Sequence, residues 1–458
     1  MLLFFIILRY TVRNLILSVV IFAYTIFAFI SCVVIVLPIH KLIGSFKRTG
    51  QNKKQDLKRI RRRMSSVKMD QGETNPSASS ACKYSGKCGA CNMMKMSYME
   101  QLKTKQKRCE ELVGSFGKVE QIIGMKEPHH YRHKVHRVFG YSRKTGLRIG
   151  TYEEHTHRIV SIDECLIEDE TCQAVLKTVA ELVKSFKYKI YDEDTGYGLF
   201  RHALVRRGMR TGEILVVLVM TSPVMPGKNN FIKALIQKHP EIKSIVLNIN
   251  DCDTTMVLGK QEKVLYGQGY ISDFLCGLKF RISASSFYQV NPAQAERVYE
   301  TAIKYADVKD DDIVVDAYCG TGTIGLTAIK DTQAQLVGIE LAAEAVRDAR
   351  QNAKTNGIKN AAFYVGDAGE ILTKMAEGGE RADVILMDPP RSGSNETFMR
   401  AAVSVKPSRI VYVSCGPDTL ARDLKFLTSN GYKVKKIQPI DLFPMTQHVE
   451  VVTKLDRI

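Results

Sequence analysis

A chain of 458 residues is too long for one ordinary core, so two or three domains are expected. Apolar content of 45% and charged content of 25% are ordinary globular values, which argues against a disordered or fibrous chain. The formal charge of +18 is uneven: residues 1–68 hold thirteen Lys and Arg against one acid, Asp56, so the remaining 390 residues carry only +6, compatible with RNA binding without requiring it.

From the N-terminus, Leu15 to Leu37 is 23 residues without a charge, long enough to span a bilayer. The cations from Lys47-Arg48 to Arg61-Arg62-Arg63 follow it and would hold the downstream chain on the cytoplasmic side. The competing reading is that translation starts at Met64 or Met69 and no anchor exists. Residues 69–81 read as a polar linker. Cys82, Cys88 and Cys91 come next, three of eleven cysteines in a chain without a signal-peptide cleavage pattern, which points to a reducing, cytosolic compartment.

A helix is expected from Tyr98 to Val113. Short β-type runs follow: Arg132–Tyr141, Thr156–Ile162, Leu199–Arg206, Ile214–Met220, Ser244–Ile249 and Thr254–Leu258. Helices at Glu170–Phe186 and Lys228–His239 interrupt them, giving a mixed α+β domain with an antiparallel sheet. Along Tyr131 to Val138 the alternation puts Arg132, Lys134 and His136 on one strand face, a candidate phosphate-contacting stripe or an ordinary solvated face. From Phe280 onward strands and helices alternate, which predicts a doubly wound α/β sheet.

Asp316-Ala317-Tyr318-Cys319-Gly320-Thr321-Gly322-Thr323-Ile324-Gly325 follows a predicted strand and opens a helix. Its glycines admit close backbone approach to a ligand, and Glu340, ending the next strand, could bind a ribose diol. The turn alone does not separate a nicotinamide dinucleotide from S-adenosylmethionine. The Asp before it, and Asp388-Pro389-Pro390-Arg391 after the fourth strand, favour the methyl donor, and Gly366-Asp367-Ala368 fits an adenine contact.

Val413-Ser414-Cys415-Gly416-Pro417 ends an apolar strand in a cysteine, delivering a thiol to the carboxyl edge of the sheet. C5 of uracil is a poor nucleophile until a thiolate adds at C6, after which a base must remove the C5 proton. Cys415 suits the nucleophile and Glu450 the base, with Arg391 placed to lower the thiol pKa. Cys319, inside the glycine turn, is assigned to packing.

These segments, with Ser286-Phe287-Tyr288-Gln289-Val290-Asn291 and Phe443-Pro444 through Glu450, closely resemble the RNA uracil-5-methyltransferase family over about Cys82 to Lys454. The resemblance implies that Gln289, Tyr318, Glu340 and Asp388 contact S-adenosylmethionine beside Gly320, Gly322 and Asp367. It also implies that Cys415 is the nucleophile and Glu450 the proton acceptor. Many members begin with a small β-barrel RNA-binding domain; here the apolar stretch stands in its place.

Cys82-x5-Cys88-x2-Cys91 with Cys165 would make a four-thiolate site, and spacing does not choose between iron–sulfur and zinc. In the ribosomal-RNA branch of the resembled family this arrangement holds a [4Fe-4S] cluster. The expected organisation is 1–68 apolar segment and collar, 69–118 linker and cysteine segment, 119–279 central RNA-binding domain, and 280–458 Rossmann-like methyltransferase domain. The expected activity is methylation of uridine C5 in 23S ribosomal RNA by a cytoplasmic monomer, tethered to the membrane through residues 15–37 if these are translated. The alternatives are a transfer RNA substrate, a cytosine-5 or amino-group methyltransferase, and an RNA-binding assembly factor without turnover.

Overall fold

The computed structural model describes residues 82–153 and 156–458. The apolar segment, its basic collar and the polar linker lie outside the described residues, and among those described no helix is long and apolar enough to cross a membrane. The helix Tyr98–Val113 forms where expected because Ser97 and Glu100 make a capping box at its start. Its inward stripe is unusual: Gln101 and Lys105 are buried on it together with Cys109 and Val113, at four-residue spacing.

Seven strands build a first sheet: β1 Lys134–Ser142, β2 Gly146–Tyr152, β3 Ile159–Ser161, β4 Phe200–Arg207, β5 Ile214–Met220, β6 Ile242–Ile249 and β7 Gln261–Gly267. Their order is β3-β2-β1-β4-β5-β6-β7. The sheet is mixed rather than purely antiparallel, because the helix Lys228–Lys238 carries the chain across the sheet and β6 returns parallel to β5. The strand expected at Thr254–Leu258 is a loop, and β7 lies beyond it. Side chains take the backbone partners a strand would need: Asn250 Nδ2 donates to Met256 O at 2.8 Å, and Asn248 bonds both the N–H and the carbonyl of Gly259.

One face of this sheet packs under the helices Glu170–Ser185 and Lys228–Lys238. The other face, through Leu204, Val217 and Val246, shares a continuous core with the hairpin β8 Tyr270–Leu275 and β9 Leu278–Ser283 and with the helix Pro292–Ala306. Each such fully buried side chain contributes about 1.5–3 kcal/mol. The hairpin closes on Cys276-Gly277, both with positive φ (50° and 83°). The boundary expected at residue 279/280 falls inside β9, so this hairpin bridges the two halves.

The second sheet holds β10 Ile313–Ala317, β11 Gln335–Glu340, β12 Ala361–Val365, β13 Val384–Met387, β14 Arg409–Ser414, β15 Tyr432–Ile440 and β16 Glu450–Arg457. The order is β12-β11-β10-β13-β14-β16-β15, parallel except for β16, which runs antiparallel between β14 and β15. The chain moves outward from β10 in one direction to β12 and then starts again on its other side at β13. That reversal opens a crevice at the carboxyl ends of β10 and β13.

Candidate active site

The glycine turn sits in that crevice. Asp316, at the end of β10, accepts a hydrogen bond from the Gly325 N–H at 2.8 Å, and a Cβ on Gly325 would stand 2.7 Å from the accepting oxygen. Gly325 is thus required for strand–helix packing. Gly320 differs: its φ is +54° and nothing lies within 4 Å of where its Cβ would be, which leaves room for a ligand against the backbone. Tyr318 takes φ +66° without being glycine and packs its ring 5.2 Å from Phe398.

Around the turn, Glu340 accepts from the N–H groups of Gly320 (3.1 Å) and Ala342 (2.9 Å). Asp367 caps the helix Ala368–Glu377, accepting from Gly369 N at 2.9 Å with Oδ1. The Tyr299 hydroxyl lies 3.2 Å from Thr323 Oγ1, at the start of the helix that follows the turn, and the Gln289 side chain neighbours that hydroxyl. Dense surroundings push the Asp388 carboxyl, one residue past β13, up to about 7. Burial also pushes Asp316 up to about 8, with Asp388 and Glu340 adding like charge.

Cys415 and Glu450 meet through sheet register. Ser414 pairs with Val451 across β14 and β16, so the next positions outward on the two neighbouring strands are Cys415 and Glu450. Glu450 is buried, and burial, then the Asp388 charge, push its carboxyl up to about 8. Burial, then Glu450 and Asp388, push the Cys415 thiol up to about 11. Arg391 pulls both values down, as the sequence suggests, but its pull on the thiol is outweighed: the expected lowered thiol is instead a raised one. The site is therefore a thiol, a buried carboxyl and a second acid facing one another with Arg391 as the opposing cation, an arrangement that favours the protonated, neutral forms until further positive charge arrives.

The four predicted cysteines come together. Cys82, Cys88, Cys91 and Cys165 line one small cavity of about 20 Å³, all as free thiols. Burial, then Cys165, Cys88 and Cys82 in turn, raise Cys91 to about 12. Among the described residues no group of three or more His, Cys, Asp or Glu side chains forms a ready-made metal site.

The basic stripe is less open than a solvated face. Arg132 lies ahead of β1, bridged to Glu168, while Lys134 and His136 are half-buried. Burial, then Arg206 and Arg132, bring Lys134 down to about 7, and burial brings His136 to about 4. Sequence reading missed Arg206, which pairs with Lys134 across β4 and β1 and so shares its face. Arg206 is buried, donates to Ser286 O at 2.7 Å, and has an Nε–H with no partner. It thereby ties the basic face to the Ser286–Asn291 segment beside the crevice; reading β4 in register with β1 would have revealed it.

A parallel sheet with one antiparallel strand, a glycine turn after its central strand and an acid at the end of the next is the frame of an S-adenosylmethionine-dependent methyltransferase. The sequence profile of the tRNA (uracil-5-)-methyltransferase family matches residues 97–458, and the chain belongs to that family, whose members are S-adenosylmethionine-dependent RNA (uracil-5-)-methyltransferases. It is 42% identical over 380 residues to an uncharacterized RNA methyltransferase of Halalkalibacterium halodurans, covering 82% of each chain. It is 43% identical over 375 residues to another from Oceanobacillus iheyensis, covering 80% of this chain and 81% of that one. Among solved structures it is similar to the tRNA (uracil-54, C5)-methyltransferase of Pyrococcus abyssi in complex with S-adenosyl-L-homocysteine (TM-score 0.68, 26% identity, 80% of this chain and 86% of that one).

Proposed function

We propose that this chain methylates C5 of a uridine in 23S ribosomal RNA through a transient bond between Cys415 Sγ and C6 of the base. The observation that carries the reading is the juxtaposition of Cys415 and Glu450 on β14 and β16 with Asp388 beside them. The Cys415 thiolate adds to C6, and the C5–C6 electron pair shifts onto C5 and O4. C5 takes the methyl group; Glu450 then accepts the C5 proton, the double bond re-forms, and the C6–S bond breaks to return the thiolate. Exposed Phe287, between buried Ser286 and Tyr288, offers a ring on which an unstacked base can lie, and Arg132 and Lys134 hold phosphate, with buried Arg206 behind Lys134. The enzyme acts as a cytoplasmic monomer, and residues 15–37, where translated, would tether it to the membrane. A transfer RNA substrate is the second reading, favoured by the likeness to the Pyrococcus abyssi enzyme. Mapping 5-methyluridine in both RNA classes of a deletion strain separates them: loss from transfer RNA alone overturns the ribosomal assignment.

Gln289, Tyr318, Gly320, Gly322, Glu340, Asp367 and Asp388 would hold S-adenosylmethionine, which when bound supplies an electrophilic methyl group on a sulfonium cation. The residues fit it, because the crevice has open space over Gly320 and a surplus of acid. Asp388 must ionise to meet that cation, and its value near 7 sets the pH range. Calorimetric affinity for S-adenosylmethionine is expected to rise about tenfold from pH 6 to pH 8, since the ionised fraction of such a group rises about tenfold. S-adenosylhomocysteine, with a neutral sulfur, should show a much flatter profile; equal slopes would remove Asp388 from this role.

Cys82, Cys88, Cys91 and Cys165 would hold a [4Fe-4S] cluster, with zinc as the alternative. The thiolates of Cys91 and Cys165 are costly as the site stands, burial pushing them to near 12 and near 11, and a bound cationic group would offset that cost. Anaerobically purified protein should carry about four irons per chain, and Cys91→Ser should lose both the iron and the brown absorbance. Wild-type protein with neither iron nor zinc would sink this part of the reading.

A further inference from the structure

The nine residues 441–449 that join β15 to β16 lead into Glu450; Asn291 and Gln294 hold their start, and residues more than three hundred positions upstream hold the stretch from Phe443 to Gln447. The Gln101 side chain, 0% exposed, accepts from Met445 N at 2.9 Å and donates to Met445 Sδ at 3.1 Å. Asn92 Oδ1 accepts from Gln447 N at 2.8 Å, and Met93 N donates to Met445 O at 3.1 Å. The Tyr131 hydroxyl donates to Pro444 O at 2.9 Å. Met445 itself has φ +67°, a backbone conformation that a non-glycine residue keeps only when its surroundings impose it. Beneath it, Met445 packs in one small core with Tyr131, Ile167, Met94, Cys91 and Cys165. Two of the four thiols that share the cysteine cavity thus pack against the same small core as Met445 of that loop.

We propose that Gln101 and Asn92 are positioning residues for proton removal: with the cysteine segment they fix the backbone of residues 443–447 and so aim Glu450 at C5. Such residues act after the C6–S bond has formed. Loosening them leaves thiolate addition and methylation in place, slows release, and makes the methylated covalent adduct accumulate. This inference rests on the assignment of Cys415 and Glu450 above.

The test combines two measurements on the full-length protein. In hydrogen exchange, Gln101→Met, which keeps side-chain volume but loses the acceptor, should speed exchange of the Met445 and Gln447 amides at least tenfold, with β14 amides unchanged. Asn92→Ala at its exposed position should speed Gln447 alone, and Asn92→Asp, which keeps the acceptor oxygen, should restore it. In single-turnover assays with uridine-containing RNA, Gln101→Met should form methylated, denaturant-resistant adduct at a rate within about threefold of wild type, while steady-state turnover falls about tenfold or more. Unchanged exchange at 445 and 447 overturns the positioning role, as does turnover that falls in step with adduct formation. Should the wild-type protein form no adduct even with RNA carrying 5-fluorouridine, the Cys415 assignment fails, and the exchange data still judge the hold on the loop.

Discussion

Cys415→Ala is expected to lower methyl transfer to uridine by at least about 10³-fold, because it removes the group that makes C5 nucleophilic and leaves only binding and positioning. Glu450→Gln should behave differently. The thiol can still add and C5 can still be methylated, but the C5 proton has nowhere to go, so turnover drops by about 10²–10⁴ while methylated protein–RNA adduct builds up. RNA carrying 5-fluorouridine gives the matching result with wild-type protein, since the carboxylate cannot remove fluorine from C5. The readout is a band shift that survives denaturant, with the attachment mapped by mass spectrometry. Methyl transfer that persists in Cys415→Ala would sink the covalent route and favour an amino-group methyltransferase that grips its substrate with Asp388-Pro389-Pro390. RNA binding without any turnover in the wild type would favour an assembly factor instead.

The raised values at Cys415, Glu450 and Asp388 give this chemistry an order. With the thiol near 11 and the two acids near 8 and 7, the site without ligands holds most of its protons at neutral pH, with Asp388 about half ionised. A sulfonium beside Asp388 supplies the missing positive charge, so filling the methyl-donor crevice should ease ionisation of the thiol. Arg391 contributes in the same direction without sufficing alone.

Much of the methyltransferase half was legible in the sequence because each strand there is a short apolar run fenced by turn residues. Ala361–Val365 and Val384–Met387 fall where the pattern puts them, as do the glycine turn and the Ser-Cys-Gly-Pro strand end. The central sheet was harder. β7 is an exposed edge strand, Gln261–Gly267, whose residues lack the alternation that marks a half-buried strand. The β8–β9 hairpin turns on Cys-Gly, without the Asn or Asp that signals such turns. The loop at residues 254–258 has an apolar stretch, Met256 to Leu258, but its backbone is claimed by Asn248 and Asn250, a competition that depends on strands being already in place. The site was read as residues but not as an electrostatic unit: Arg391 was visible beside the motif, whereas the burial that overrides it belongs to the folded protein. Nor does any local pattern show that Gln101 and Lys105 are buried, since on a helix they read as ordinary polar surface.

Lys105 carries the other large expected effect. Its ammonium and the Asp441 carboxylate have side chains 1% and 0% exposed and meet at 2.6 Å. Tyr98 donates to the second carboxylate oxygen at 2.9 Å, and Lys105 also reaches Phe443 O at 3.1 Å. Lys105→Met strands a carboxylate in the interior and is expected to cost about 3–5 kcal/mol, read as a lower denaturant midpoint with unchanged slope. Yet the pair is a poor source of net stability: burial lowers the Lys105 pKa even against the pull of Asp441, so the attraction does not repay the loss of water. The double variant Lys105→Met with Asp441→Leu should therefore recover most of the lost stability, short of what the unpartnered Tyr98 hydroxyl and Phe443 carbonyl forfeit. Turnover should not recover with it, because the pair fixes where the β15–β16 connection begins, nine residues before Glu450. A double variant as unstable as the single one would show that the pair holds the fold together; one that regains both stability and turnover would show that it does neither.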